Sequence, residues 1–324
     1  MAERIRFGST GLMVSPVCFG TWQLSPRFWG PQPKDEILRA MRQALDSGIN
    51  FFDTADAYGD GLGETVLGEF LAGIRRDEAI VCTKVFNHFN PDASRYPDLS
   101  AAHVRQRCDL ELKRLGIDTI DIYLLHLPDV LTPMREITAT LEALRAEGKI
   151  RHYGVSNHTL ESFRSLRRLG AYAVCQPPYS LLEAGIEKDL LPYCEAEDVG
   201  VMVYSPLHKG LLSGKYSGQE VFADFRQHHP DFQGERFQRI AAAVQGLRPM
   251  AEGYGMSIPQ LVLAATLMHP GIRVAVVGIK TAAQIAEAAM AMGRRIDRED
   301  YFRVRKALTI EGLSRIRDAT GTTK

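Results

Sequence analysis

The chain has 324 residues, 45% hydrophobic and 24% charged, which is ample apolar material for a core and excludes a disordered chain. Lys plus Arg and Asp plus Glu both total 39, so no bulk field draws it to nucleic acid or an anionic membrane; any anion site must be local. Five dispersed cysteines, Cys18, Cys82, Cys108, Cys175 and Cys194, odd in number and without C-x-x-C spacing, argue against a disulfide framework or zinc site and fit buried thiols of a reduced compartment.

In chain order, the N-terminal "RIRFGSTGLMVSP" places two short apolar-alternating pieces around Ser9-Thr10-Gly11, a β-hairpin signal. It has no apolar run of signal-peptide length, and no run of about eighteen apolar residues follows, so a cytoplasmic protein without a membrane partner is expected. Eight strand candidates come next: "VCFGTW", "NFFDTA", "AIVCTKV", "TIDIYLLH", "IRHYGVSN", "AVCQPPY", "GVMVYSPL" and "RVAVVGIK". Helical periods separate them, as in Ile37, Met41, Ala44 and Leu45, in Val104, Cys108, Glu111 and Leu115, and in Ile137, Leu141 and Leu144. Gly48, Gly116, Gly148, Gly170 and Gly200 follow such segments, where a residue at positive φ ends a helix cheaply. Eight β-α units in about 250 residues have the size of a (β/α)₈ barrel, whereas a doubly wound sheet stops at five or six strands. The expected architecture is therefore one (β/α)₈ TIM-barrel domain over residues 1–324, with an N-terminal β-hairpin and a C-terminal helical segment from Asp297 onward. Ser217 to Glu235 reads as a long loop over one face.

Seven strands end on polar residues at their C-terminal side: Asp53, Lys84, His126, Ser156-Asn157, Gln176, Tyr204-Ser205 and Lys280. One such residue is merely a strand leaving the core. Seven in register mark the mouth of a parallel barrel, where active sites of this architecture lie and neighbouring strands are about 4.8 Å apart. Asp53 and Lys84 would face one another there, with His126 one strand further and Tyr58 on the loop after Asp53. An ammonium beside Tyr58 stabilises its phenolate and lowers a phenol pKa of about 10. Asp53 would hold Lys84 charged, and a neutral His126 would help place a substrate oxygen. A plain rim salt bridge is the alternative for Asp53 and Lys84 alone.

These pieces resemble the aldo-keto reductases over nearly the whole chain: "GTW" at 20–22, "FFDTADAYGDGLGETVLG" at 51–68, "TK" at 83–84, "DIYLLHLPD" at 121–129, "GKIRHYGVSN" at 148–157, "YSPLHKGLLSGKY" at 204–216 and "VVGIKTAAQI" at 276–285. The resemblance implies an NADP(H)-dependent oxidoreductase that reduces aldehydes or ketones to alcohols, with a small-molecule carbonyl substrate as its partner. It implies a catalytic tetrad of Asp53, Tyr58, Lys84 and His126, with Tyr58 the proton donor. It further implies that Ser156, Asn157 and Gln176 hold the nicotinamide carboxamide and that Tyr204 stacks on its ring. Ser205, Leu207, Gly210 and Lys215 would run along the pyrophosphate, and Gly278, Lys280, Thr281, Gln284 and Glu287 would surround the adenosine end. Independently, "GIKTAAQ" brings a cation, a hydroxyl and free backbone N–H groups to one spot where strand meets helix, which suits a 2′-phosphate; a Thr cap beside a solvated Lys is the alternative.

Trp22, Phe28 and Trp29 either line an apolar substrate pocket or pack their own loop. "GLLSGKY" is not a Walker loop and "GDGLGE" is not a Rossmann fingerprint, but a turn into a helix beginning near Glu64. Asp56 and Asp60 read as turn residues. No metal is expected: His228-His229 lack a third ligand at sensible spacing, and His88, His103, His152, His158 and His208 are singletons. The family often has Asn where Ala288 follows Glu287, Arg at Ala184 and Trp at Ala265. It also includes NADP(H)-binding regulatory subunits of potassium channels, which would retain cofactor and barely cycle. Substrate identity and oligomeric state are not encoded in any motif.

Overall fold

The structure, a computed structural model, describes residues 4–90 and 94–309. All eight expected strands form: β1 (Val17–Gly20), β2 (Phe51–Asp53), β3 (Ile80–Val85), β4 (Ile120–Leu125), β5 (Ile150–Ser156), β6 (Tyr172–Gln176), β7 (Gly200–Tyr204) and β8 (Val274–Gly278). They pair in chain order, all in parallel, and β8 closes onto β1 to complete the barrel. Their apolar runs are nearly unbroken because each strand is covered on both faces, by the barrel interior and by helices outside.

Cys18, Phe51, Ile122, Leu124, Val174 and Met202 are among the residues that fill the interior. The N-terminal hairpin, Ile5–Arg6 paired with Met13–Val14, closes the end opposite the mouth, where Phe7 meets Phe51 edge-on at 5.6 Å. Outside, the helix Lys34–Asp46 buries Ile37, Met41 and Ala44, Ala101–Leu115 buries Val104, Cys108 and Leu115, and Met134–Ala146 buries Ile137, Leu141 and Leu144. The 3.6-residue period thus lays one apolar stripe of each helix on the barrel. All five cysteines are buried free thiols.

Gly48, Gly116 and Gly148 take positive φ at 87°, 64° and 75°, as their helix-ending positions require. Gly170 and Gly200 do not; they are needed for close approach. A Cβ on Gly200 would come within 2.9 Å of the Phe7 ring, and one on Gly170 within 2.6 Å of the Tyr153 hydroxyl. The helix expected near Glu64 begins earlier, at Leu62. The segment 217–235 contains two 3-10 turns, Phe225–His228 and Pro230–Phe232, before the helix Gly234–Gln245. Phe225 packs on Trp29 at 4.9 Å and Trp22 at 5.4 Å, which draws this loop over the barrel mouth. A second hairpin, Asn87–Phe89 with Arg95–Pro97, follows β3 and has no counterpart in the sequence reading, because its strands are polar and lack alternation. The expected terminal helix spans Arg298–Leu308, and the chain after residue 309 lies outside the described residues. Among the described residues no helix is long and apolar enough to cross a membrane.

Candidate active site

Asp53 ends β2 and Lys84 lies near the end of β3, so both side chains reach the mouth from adjacent strands. Lys84 is wholly buried, and each of its three N–H groups has an acceptor: Asp53 Oδ2 at 2.8 Å, the Thr54 carbonyl at 2.7 Å and Tyr58 Oη at 3.3 Å. The turn after β2 delivers Tyr58. Its Gly59 has φ 63°, and a Cβ there would come within 2.6 Å of the Leu24 carbonyl, so only glycine lets this turn sit against the β1 loop. His126, just past β4, stands edge-on to Tyr58 with ring centroids 5.8 Å apart.

Burial and neighbouring charge together set the protonation states. It pushes the Tyr58 phenol up to about 12; Lys84 pulls the other way and Asp53 adds to the rise. The expected depression of this pKa by Lys84 is therefore present but outweighed, because the phenolate loses more solvation than one shared ammonium returns. Burial opposes a charged Lys84, yet Asp53 and then Tyr58 outweigh it and raise its pKa, so Lys84 is an ammonium. Burial, then Lys84, lower the His126 pKa to about 3, which keeps its imidazole neutral.

A hydrogen-bonded row continues around the rim. Gln176 Nε2 donates to Asp53 Oδ1 at 2.7 Å, Ser156 Oγ to the Gln176 carbonyl at 2.8 Å, Asn157 Nδ2 to Ser156 Oγ at 3.0 Å, and Tyr204 Oη to Asn157 Oδ1 at 2.7 Å. Asn157 and Ser205 both adopt positive φ, at 59°. His208, Lys209 and Gly210 follow at 46°, 55° and 90°, a run of left-handed positions closed by the Gly210 N–H donating to the Leu207 carbonyl at 2.9 Å.

One cleft of about 860 Å³ runs from Tyr58 and His126 past this row to Lys215, Lys280, Gln284 and Glu287. Ser205, Leu207, Gly210 and Gly278 also line it, as do Trp22, Phe28 and Trp29. Gly278 pairs with Gly20 across β8 and β1, and a Cβ on it would overlap the Gln23 amide, so the glycine leaves room for that side chain in the cleft wall. Trp22, Phe28 and Trp29 line the cleft and pack together with Phe225. Lys280 and Arg226 both stand over the Trp29 ring, at 4.7 and 5.2 Å. Burial, then Arg226, lower the Lys280 pKa, with Asp224 opposing and Lys215 adding to the fall, so cations are crowded at this end.

Thr281 Oγ1 accepts the Gln284 N–H at 3.3 Å and caps the helix Ala282–Ala289. Asp56 stands in a turn as expected, but it is fully buried with Arg107 at 3.5 Å, and burial lifts its carboxyl to about 7 against that pairing. Asp60 is a turn residue as expected, exposed, at φ 56° and paired with Arg95. Arg226, Asn87 and Arg95 line the cleft without having been anticipated. The one signal for Arg226 was an arginine beside aromatic Phe225 in a long loop.

The sequence model of the aldo/keto reductase family matches residues 16–309. The chain is 30% identical over 319 residues to an NADH-specific methylglyoxal reductase of Escherichia coli (strain K12), covering 94% of this chain and 98% of that protein. The structure of the glycerol dehydrogenase AKR11B4 from Gluconobacter oxydans matches with a TM-score of 0.87 and 32% identity, over 94% of this chain and 95% of that one. An aldo/keto reductase from Klebsiella pneumoniae, solved in complex with NADP and acetate, matches with a TM-score of 0.75 and 28% identity, over 98% of this chain and 100% of that one.

Proposed function

The chain belongs to the aldo/keto reductase family, a family of carbonyl-reducing oxidoreductases, and from that premise we propose that it reduces aldehydes or ketones to alcohols with NADPH, Tyr58 giving the proton. The observation that carries this is a buried Asp53–Lys84–Tyr58 chain beside a neutral His126, at one end of a cleft whose other end gathers Lys215, Arg226 and Lys280.

The residues present fit a phosphorylated dinucleotide. Lys280 is pressed by neighbouring cations, and a dianion among them relieves that crowding. Ser205, Gly210 and the Lys215 ammonium line the cleft where a pyrophosphate would lie, and the Ser156, Asn157 and Gln176 row offers amide and hydroxyl partners to a carboxamide. When bound, NADPH supplies the hydride that the carbonyl carbon receives. Tyr58 gives its Oη proton to the carbonyl oxygen, Lys84 holds that phenol in place, and Asp53 keeps Lys84 charged. The buried Nδ1 of His126 has no hydrogen-bond partner, which favours the tautomer with its proton on Nε2 as a donor to the substrate oxygen.

A phenol held up to about 12 is protonated throughout the neutral range, the form that reduction uses; oxidation needs the phenolate. Reduction is therefore expected to stay flat between about pH 6 and 9, while alcohol oxidation climbs roughly tenfold per pH unit as the phenolate fraction grows. Parallel initial-rate profiles in both directions check this, and an oxidation rate that falls with pH contradicts it.

The same site makes a prediction on cofactor choice, sharpened by a relative named as NADH-specific. Lys280→Ala is expected to weaken NADPH binding by roughly ten- to a hundredfold, the size of one charge-assisted hydrogen bond, and NADH binding much less. Titrations of both cofactors by fluorescence measure it; equal losses would mean that Lys280 does not read the 2′-phosphate.

A further inference from the structure

Among the described residues, two clusters of potential metal ligands lie outside the reaction centre, and the hydrogen-bonding around them separates them. In the first, His208 Nε2 lies 2.8 Å from Asp231 Oδ2, His208 Nδ1 lies 3.2 Å from Ser180 Oγ, and Asp231 is paired with Arg236. Both nitrogens of that ring are engaged, so His208 and Asp231 are held as a structural network, with His229 at its edge.

The second cluster differs. His88 Nδ1 and His103 Nδ1 lie 3.5 and 3.8 Å from Asp98 Oδ2, and neither nitrogen has a hydrogen-bond partner. These separations are long for hydrogen bonds. They are close to the roughly 3.3 Å that separates neighbouring ligand atoms around a tetrahedral ion with bonds of about 2.0–2.1 Å. We propose that His88, Asp98 and His103 form a binding site for a divalent first-row transition ion, zinc being the best fit, which fastens the hairpin Asn87–Phe89/Arg95–Pro97 to the helix Ala101–Leu115.

Two imidazoles and one carboxylate are a donor set that zinc favours, and with three protein ligands the fourth position is left for water or substrate. The side chain of His103 is only 5% exposed and that of Asp98 20%, whereas His88 is 36% exposed, so the site is seated in protein and open on one side. Its members are oriented from outside: Asp98 Oδ1 accepts the Ser100 N–H at 2.9 Å, and the His88 ring stacks on Tyr96 at 4.6 Å and 13°. Arg107, the cation one turn along the helix from His103, is drawn toward Asp56 at 3.5 Å and Glu111 at 4.0 Å. The cluster is invisible in the sequence because the unforeseen hairpin brings His88 to His103.

The hairpin gives the site its consequence. Asn87 and Arg95, which line the cleft, are the immediate neighbours of His88 and of its stacking partner Tyr96. An ion at the base of the hairpin would hold the substrate side of the cleft in one shape without touching the reacting atoms. Its binding does not depend on the proposed reaction.

Calorimetric titration of chelator-treated full-length protein with zinc chloride tests the site. One equivalent is expected to bind, with affinity reduced at least a hundredfold in His88→Gln and in Asp98→Asn and unchanged in His229→Gln. Circular dichroism confirms that each variant is folded, and His88→Gln, at a half-exposed position, keeps the test available if Asp98→Asn unfolds. Absence of a one-equivalent site, unchanged affinity in folded His88→Gln, or loss in His229→Gln instead would each overturn the proposal.

Discussion

Tyr58→Phe protein is expected to reduce carbonyl substrates about 10²- to 10⁴-fold more slowly than wild type, the usual contribution of a positioned general acid, while binding NADPH with unchanged affinity. The substitution removes one oxygen and leaves the surroundings intact. Lys84 keeps Asp53 at 2.8 Å and the Thr54 carbonyl at 2.7 Å as acceptors, and its ammonium, 4.8 Å from the ring centroid, retains a cation–π contact with phenylalanine. A loss of turnover therefore reports chemistry and not a collapsed site. Initial rates and cofactor titration on the same preparation separate the two, and retained turnover would remove Tyr58 from the proton-donating role.

Lys84→Met is expected to abolish most turnover and also to destabilise the fold by about 3–5 kcal/mol, as removing one partner of a buried ion pair does. The Asp53 carboxylate, only 3% exposed, is then left in the interior with Gln176 as its remaining side-chain partner. Adding Asp53→Leu removes the stranded charge, so the double variant should recover most of the lost stability and none of the activity. Urea unfolding of the four proteins in this cycle measures the stability term. A Lys84→Met protein as stable as wild type would mean that the pair is solvated in solution and that its buried geometry does not hold.

The barrel was legible in the sequence because its strands are sealed on both faces. "TIDIYLLH", apart from Asp121, and "GVMVYSPL" are apolar runs that end in polarity, and the structure ends β4 and β7 at those points. The positions of Asp53, Lys84, His126 and Gln176 follow from the same rule, since the C-terminal ends of parallel strands share one mouth. What the sequence withheld depends on tertiary burial. Asp56 is a turn residue as "DTADAYG" reads, but its burial was not legible, because nothing local announces Arg107 beneath it. The net shift of Tyr58 was expected to follow its charged neighbour, and it follows desolvation instead. Thr281 reads as a cap or as a phosphate ligand, and the structure adds that its Oγ1 caps the helix by accepting the Gln284 N–H. Arg226 reaches the cleft through a loop path that no periodicity specifies.

The most direct measurement follows the hydride itself. Wild-type protein supplied with an aldehyde and NADPH deuterated at both C4 positions should yield an alcohol with one deuterium on its carbinol carbon, and Tyr58→Phe should form that labelled alcohol at least a hundredfold more slowly. An unlabelled alcohol, or an equal rate of labelled product from the two proteins, would contradict the account.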